Sequence, residues 1–477
     1  MMRRPKPFPE PSLSPRRPAR PAGRIRRRGA PGLLLLAWVL ALGALVPGLL
    51  TPAAGQAPEP ALPAPSTAED PARDILIEGI GFSKLILHVD RSSAPPGMPA
   101  FADFLPMLER NLCWSGLFTL YEGASRYCRP RGEPSRVDMR LRFAGSGKTL
   151  AVRVQDAGPE GLVLFEEPVD FAEPPQEHQV MDLVNRIAER ISGEPGLLGS
   201  TIAYVLRQPG FAKVIVATNT HGEAPRLISR NQDISLLPHW SPSGNALVYT
   251  ILARNGTGVF LQSLLREPGQ DGQSRFLTPQ TGLNSGGAFS PDEKRIALTM
   301  SVNSVADLFE HTFATRQIRR LTFRDGIETS VNWSPKGGEL AFVSDRSGTP
   351  QIYLLNLETL EDLRLTFDSG YNADPKFSPD GESILFTKRV AGRDQIHIMD
   401  RYGENVRAVT SGPYDSEQAE WSPDGKQIVF TSNRTGTFKL YMVSADGTAL
   451  RRLTRTPELW EESGPSWTRR RLSVSQP

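Results

Sequence analysis

The sequence predicts two domains: a small N-terminal α/β domain, then an all-β propeller of six blades. Three observations predict it. A short motif recurs through the second half of the chain, its spacing is nearly constant, and a segment near residue 200 matches the strands that the last copy lacks. The five full copies are Trp240-Ser241-Pro242-Ser243-Gly244, Phe289-Ser290-Pro291-Asp292-Glu293, Trp333-Ser334-Pro335-Lys336-Gly337, Phe377-Ser378-Pro379-Asp380-Gly381 and Trp421-Ser422-Pro423-Asp424-Gly425. Trp467-Thr468 begins a sixth. The aromatic recurs at intervals of 49, 44, 44, 44 and 46 residues. A period in the forties with several strands per copy is the mark of a propeller.

Each copy reads as four strands. The aromatic ends an innermost strand and packs between blades. Ser-Pro-Asp-Gly suits a type I turn, with Pro setting φ at the second place and Gly at the fourth. Glu293 stands where that turn prefers Gly, so a looser turn is expected there. A second strand follows with alternating apolar residues, as in Ile428, Val429 and Phe430. A third is centred on Phe260, Phe309, Tyr353, His397 and Tyr441, and a fourth ends in the pairs Leu277-Thr278, Leu321-Thr322, Leu365-Thr366, Val409-Thr410 and Leu453-Thr454. The surplus of the 49-residue interval falls in a polar loop at 266–272. Trp467 has no second strand after it. Ile202-Ala203-Tyr204-Val205 resembles Leu340-Ala341-Phe342-Val343, and the stretches around Ile215 and Leu227-Ile228 match third and fourth strands. The two chain ends should therefore close the ring together, leaving no open sheet edge.

The N-terminus reads as an export signal over 1–57. Residues 1–28 hold nine Arg with Lys6 and Glu10, an apolar run fills 33–46, and small residues follow. Fourteen unbroken apolar residues are short for a membrane span. The formal net charge of +3 becomes −6 once the +9 of residues 1–28 is set aside, so no basic surface argues for nucleic acid. Residues 58–73 read as a Pro/Ala-rich linker.

From 74 to 199 a mixed α/β domain is expected, with strands at 75–77, 85–89, 137–143, 150–154 and 162–165. Phe101, Leu105, Leu108 and Leu112 mark one helix, and Met181, Val184, Ile187 and Ile191 a second. The propeller is expected over 200–477. Cys113 and Cys128 are the only cysteines; they form a disulfide or stay as buried thiols.

Catalytic chemistry is hard to find. Gly145-Ser146-Gly147-Lys148-Thr149 looks like the end of a phosphate-binding loop, but Arg142 stands where its first Gly belongs, and a strand follows instead of a helix. A hairpin is the better reading. There is no H-E-x-x-H, and no G-x-S-x-G of a hydrolase. A metal or small-ligand site of a hydrolase or lyase in the central channel, built from carboxylates such as Asp374 and Glu417, is the enzymatic alternative.

These residues resemble the TolB family, the periplasmic component of the Tol-Pal envelope system. The resemblance rests on the blade motif, as in Ala341-Phe342-Val343-Ser344-Asp345-Arg346, and on the order of signal, small domain and six blades. It rests also on Ser115-Gly116-Leu117-Phe118 after a helix, and on Ile187-Ala188-Glu189-Arg190-Ile191 leading into the propeller. It implies a non-enzymatic adaptor with no cofactor, supporting envelope integrity and cell division. It implies binding of Pal, a peptidoglycan-gripping lipoprotein of the outer membrane, at the propeller mouth. Asn284, Ser285, Glu328, Thr329, Asn372, Asp374, Glu417 and Gln418, read as loop residues around that mouth, are the candidate contacts. The start of the mature domain, with Asp74, Ile75 and Ile77, is the candidate contact for a TolA-like inner-membrane protein.

Overall fold

The computed structural model describes residues 84–472, apart from 96–97, 122–127, 129–135, 147–148, 171–174, 224, 230–232, 265–273, 280, 303–304 and 369. The signal and linker readings, the strand at 75–77 and the loop at 266–272 therefore lie outside the described residues.

The first domain is a five-stranded sheet with two helices. Its strands are β1 (Leu85–Val89), β2 (Phe118–Tyr121), β3 (Met139–Ser146), β4 (Thr149–Asp156) and β5 (Val163–Asp170), in the order β2-β1-β3-β4-β5. Helices α1 (Pro99–Trp114) and α2 (Glu177–Ser192) bury Phe104, Leu108, Leu112, Leu183, Val184 and Ile187 against alternate residues of that sheet. Ser146 pairs with Thr149 across a two-residue connection, so the glycine-rich stretch is a hairpin between β3 and β4. Cys113 and Cys128 are disulfide-bonded, their Cα atoms 5.5 Å apart.

The propeller has six four-stranded blades. Blade 1 holds β9 (Ile234–Trp240), β10 (Ala246–Ala253), β11 (Gly256–Ser263) and β12 (Arg275–Phe276). Blade 2 holds β13 (Asn284–Phe289), β14 (Arg295–Val302), β15 (Val305–Thr312) and β16 (Ile318–Arg320). Blade 3 holds β17 (Glu328–Trp333), β18 (Glu339–Ser344), β19 (Gln351–Asn356) and β20 (Asp362–Arg364). Blade 4 holds β21 (Asn372–Phe377), β22 (Ser383–Val390), β23 (Arg393–Asp400) and β24 (Arg407–Ala408). Blade 5 holds β25 (Ser416–Trp421), β26 (Gln427–Thr435), β27 (Thr437–Ser444) and β28 (Arg451–Arg452). Blade 6 is composite. Its innermost strand β29 (Glu461–Thr468) comes from the C-terminal end, while β6 (Thr201–Arg207), β7 (Val214–Asn219) and β8 (Arg226–Leu227) precede blade 1. Trp467 pairs with Ile202 and Ser466 with Ala203, so the two ends do close the ring.

Each aromatic packs on the blade before its own. Trp333 sits with Ala297 and Leu308 of blade 2, Trp421 with Leu385 and Ile396 of blade 4, and Trp467 with Val429 and Leu440 of blade 5. The turn after it is closed by a main-chain bond from the fourth residue to the Ser carbonyl, at 2.8 Å for Gly244, Gly381 and 2.9 Å for Gly425. The Asp carboxylate accepts from the Ser hydroxyl, as at Ser422–Asp424 (2.6 Å). The turn at Glu293 is not looser. Its N–H reaches Ser290 O at 2.9 Å because Glu293 takes the left-handed conformation, φ 56°. That conformation costs a non-glycine residue about 1 kcal/mol, and the Glu293 carboxylate recovers part of it by accepting from the Ser243 main chain and hydroxyl.

The outermost strands of blades 1–5 end just before the Leu-Thr or Val-Thr pairs, two residues earlier than the sequence reading placed them. The Leu N–H still reaches the third strand, as from Leu365 to Ile352 O at 2.8 Å. The Thr hydroxyl then accepts the next third-strand N–H, as at Thr366 from Ile352 (2.9 Å) and Thr410 from Ile396 (2.9 Å). A side chain thus finishes what the short ladder leaves undone.

The α/β domain contacts one end of blades 5 and 6. Lys84 Nζ donates to Ser444 Oγ (2.8 Å) and Thr448 Oγ1 (2.7 Å), and Gln427 Nε2 to Trp114 O (2.6 Å). His221 Nε2 lies 2.8 Å from Asn111 Oδ1, and Arg451 stacks on the Trp114 ring at 4.1 Å. All these propeller residues lie at the end where innermost strands finish. The opposite end, where innermost strands begin, carries none of these contacts. Among the described residues, no helix is long and apolar enough to cross a membrane.

Candidate functional site

The six innermost strands touch one another in a closed ring around the propeller axis. Every one of them breaks register with its neighbour at the same place, between its second and fifth residues in blades 2–5. The residue at the break is left-handed in all six blades: Leu237 (φ 52°), Gly286 (67°), Ser330 (53°), Asp374 (51°), Gln418 (52°) and Gly464 (56°). Such a bulge redirects side chains and is a built feature. Four of the six are not glycine, and strain of this kind gathers where a chain does its work. Neighbours join around the ring. Ser330 Oγ donates to Asp374 Oδ1 (3.1 Å), and Gly464 N–H to Gln418 Oε1 (2.8 Å).

Two residues further along, every innermost strand but that of blade 2, which has Ala288, carries a polar side chain: His239, Asn332, Lys376, Glu420 and Ser466. Lys376 Nζ is 3.6 Å from Glu420 Oε2. Asn332 Oδ1 accepts from Phe377 N (2.9 Å), and Ser466 Oγ from Trp240 N (3.1 Å). Burial pushes the carboxyls of Asp374 and Glu420 up, and burial with Lys376 nearby drives His239 down to about 3. Glu417 is pushed up to about 8, first by burial and then by Asp374, Asp394 and Asp415, with Arg389 opposing. Among the described residues, no three His, Cys, Asp or Glu side chains gather as a metal cage.

The candidate contacts are not where the sequence reading put them. None lies in a loop; all eight are among the first three residues of innermost strands. Asn284, Glu328 and Asn372 are first residues and are buried. Asn284 Nδ2 binds Thr257 O (2.8 Å), Pro279 O (2.9 Å) and Thr281 O (3.0 Å), and Asn372 Nδ2 binds Gln351 Oε1 (3.1 Å) and Asp368 Oδ1 (2.6 Å). These amides stitch the incoming link to its blade. Ser285, Thr329 and Glu417 are second residues, and only Thr329 escapes burial. Asp374 and Gln418 are bulge residues. The links from outermost to innermost strands are so short that the new strand has begun by 284, 328 and 372. Asp74, Ile75 and Ile77 lie outside the described residues.

The sequence reading missed the rim. Half of the exposed large apolar side chains among the described residues lie at the end away from the α/β domain, on hairpins and links around the mouth. Phe323 and Phe367 are 65% and 74% exposed and occupy the same position in adjacent blades. Arg320 stacks on the first at 5.0 Å and Arg364 on the second at 5.1 Å. Val302, Val390, Phe211 and Leu459 continue the rim. The signal was present: a Phe follows Leu-Thr at 323 and 367, where Pro279, Ser411 and Arg455 stand in other blades.

The family description "TolB beta propeller domain" matches residues 188–471. The Tol-Pal system protein TolB of Desulfosudis oleivorans is 31% identical over 181 residues, 37% of this chain and 39% of that protein. The TolB of Nitrosomonas europaea is 27% identical over 222 residues, 42% of this chain and 49% of that protein. The alignments thus span less than half the length of these relatives. The crystal structure of TolB from Acinetobacter baumannii covers 83% of this chain and 99% of its own, with a TM-score of 0.63 at 24% identity, which shows a shared fold. With a family match across well over half its length, the chain belongs to the TolB β-propeller family.

Proposed function

We propose that this protein is a non-enzymatic periplasmic adaptor of a Tol-Pal system. Its propeller mouth binds a Pal-like lipoprotein and so supports envelope integrity and cell division. The observation that carries this reading is the mouth itself. Among the described residues it carries no α/β-domain contact, it is ringed by exposed apolar side chains, and it opens onto the strained bulge ring. A rim that carries two Arg-stacked phenylalanines, Phe323 and Phe367, around buried polar groups suits a protein partner, since aromatic and Arg side chains dominate interface energetics. Phe323, Phe367, Thr329 and Gln418 are the contacts favoured here. A TolA-like contact through Asp74, Ile75 and Ile77 rests on the family resemblance. The names of the relatives, "Tol-Pal system protein TolB", support the system.

The test is calorimetric titration of the purified protein with the soluble domain of the lipoprotein encoded by the same genome. Saturable one-to-one binding supports the adaptor. Absence of binding, together with turnover of a small ester, peptide or uronide, would overturn it.

A further inference from the structure

Blades repeat one another, so one position can be compared several times. Near the start of the third strand, blades 3, 4 and 5 carry Gln351, Gln395 and Lys439, all buried. Each donates N–H to two carbonyl oxygens of the link that leads to the next innermost strand. Gln351 Nε2 reaches Asp368 O (3.1 Å) and Gly370 O (2.8 Å). Gln395 Nε2 reaches Gly412 O (3.3 Å) and Tyr414 O (2.7 Å). Lys439 Nζ reaches Pro457 O (2.6 Å) and Trp460 O (2.7 Å). In blade 2 this position is Asp307, 0% exposed, and a carboxylate has no N–H to give. By the same spacing, the facing carbonyls are those of Arg324 and Gly326. Among the described residues, no side chain donates to either.

The position five residues before the next aromatic sharpens the contrast. Glu328 and Glu462 each stand five residues before their aromatic, and each is 0% exposed. Glu462 is fully served. It accepts from Leu440 N (2.9 Å), Thr456 Oγ1 (2.5 Å) and the Thr454 hydroxyl, and Thr456 Oγ1 also receives the Lys439 ammonium at 2.9 Å. Glu328 instead feels the charge of a second buried carboxylate, Asp307. Arg320 Nη2 lies 2.7 Å from Asp307 Oδ2, and Arg346 Nη1 lies 3.7 Å from Glu328 Oε1 while its guanidinium is committed to Asp362. The Thr322 side chain hydrogen-bonds Glu328 and Arg320 ion-pairs with Asp307 Oδ2, which leaves Asp307 Oδ1 buried with no partner among the described residues.

We propose that a hard divalent cation of the calcium type fills, at the junction of blades 2 and 3, the place that the Lys439 ammonium holds in blade 5. Asp307, Glu328 and the carbonyl oxygens of Arg324 and Gly326 bind it. An all-oxygen set of carboxylates and carbonyls is what such a cation selects. It relieves the repulsion of two buried carboxylates, which are stable only when paired or bound to metal. Arg320 approaches through Oδ2 and leaves Oδ1 to the cation. The link so pinned carries Phe323, which ties the cation to the order of the mouth rim.

The experiment compares the EDTA-treated chain with D307K, which rebuilds the blade 5 arrangement, and with the amide pair D307N/E328Q, by calcium chloride titration and thermal melting. Wild type should take up calcium and melt at least about 2 °C higher in millimolar calcium than in EDTA, as ligand linkage requires. Both variants should fold, take up one calcium fewer and lose that shift. Unchanged stoichiometry and shift in the folded variants would overturn the proposal. So would a wild type that takes up no calcium and melts alike in calcium chloride and in EDTA. Should D307K not fold, the amide pair decides alone.

Discussion

Replacing Trp421 and Trp333 separately by Phe tests how the blade aromatic is held. Both rings are nearly buried, and Phe289 and Phe377 show that Phe fits the position. The indoles differ in one respect. Trp421 Nε1 donates to Lys376 O at 3.2 Å, whereas Trp333 Nε1 has no partner and its ring lies under Arg295 at 4.9 Å. Both Phe variants lose a similar slice of apolar contact. Trp421→Phe also orphans a carbonyl between blades 4 and 5, which costs about 1–3 kcal/mol, while Trp333→Phe removes a buried N–H that was already unsatisfied. Trp421→Phe should therefore be the more destabilising by about 1 kcal/mol or more. Trp421→Ala, which also opens a cavity beside Leu385, Ile396 and Ile428, should cost about 3–5 kcal/mol. Urea denaturation followed by tryptophan-independent circular dichroism reads all three. Equal midpoints for the two Phe variants, or a Trp421→Ala midpoint like wild type, would refute this account of inter-blade packing.

Ending the chain before Pro465 removes the residues that pair with Ile202 and Ala203, so β6 becomes an open edge; the truncated protein should melt well below the full chain and aggregate, as light scattering during a melt would show. Phe323→Ala with Phe367→Ala should leave the melting curve within about 0.5 kcal/mol of wild type, since exposed side chains contribute little, yet weaken lipoprotein binding by about tenfold or more in calorimetry. Glu417 has a folded pKa of about 8 against an ordinary 4.5, so the folded state holds the proton more tightly. Its burden on stability is absent below 4.5, grows as pH rises, and is complete above 8. Glu417→Gln should thus match wild type at pH 4 and exceed it by on the order of 1–3 kcal/mol at pH 9, read as denaturation midpoints. Reducing the Cys113–Cys128 bond, which closes a 15-residue separation, should destabilise the α/β domain by about 3 kcal/mol while leaving propeller transitions in place.

Much of the propeller was legible because repetition multiplies a weak signal. One aromatic-Ser-Pro says little, but five, three with Trp and two with Phe, at a spacing of 44 to 49 residues define strand order, turn and the composite last blade. The upstream match at Ile202–Val205 even located ring closure, since strand pairing at the seam must repeat the pairing inside every other blade. The α/β domain was legible as elements through apolar periodicity at Leu105, Leu108, Leu112 and at Val184, Ile187. Whether Cys113 and Cys128 pair was not, because that depends on distance between a helix end and a loop.

The mouth was legible only as a region. Reading Asn284, Glu328 and Asn372 as loop residues around the mouth failed because polarity alone does not separate a side chain presented to a partner from one tying down a carbonyl. The bulge ring was hidden for a related reason. Gly286 and Gly464 hint at a left-handed position, but Leu237, Ser330, Asp374 and Gln418 adopt it only because the crowded ring of six strands imposes it. By itself, then, the sequence determined architecture, the blade register and the closing partner, all consequences of local periodicity repeated along the chain. The tertiary structure alone decided which polar groups are buried, which end of the axis the α/β domain leaves free, and where Phe323 and Phe367 meet on one rim. Those depend on contacts between blades, and no single repeat contains them.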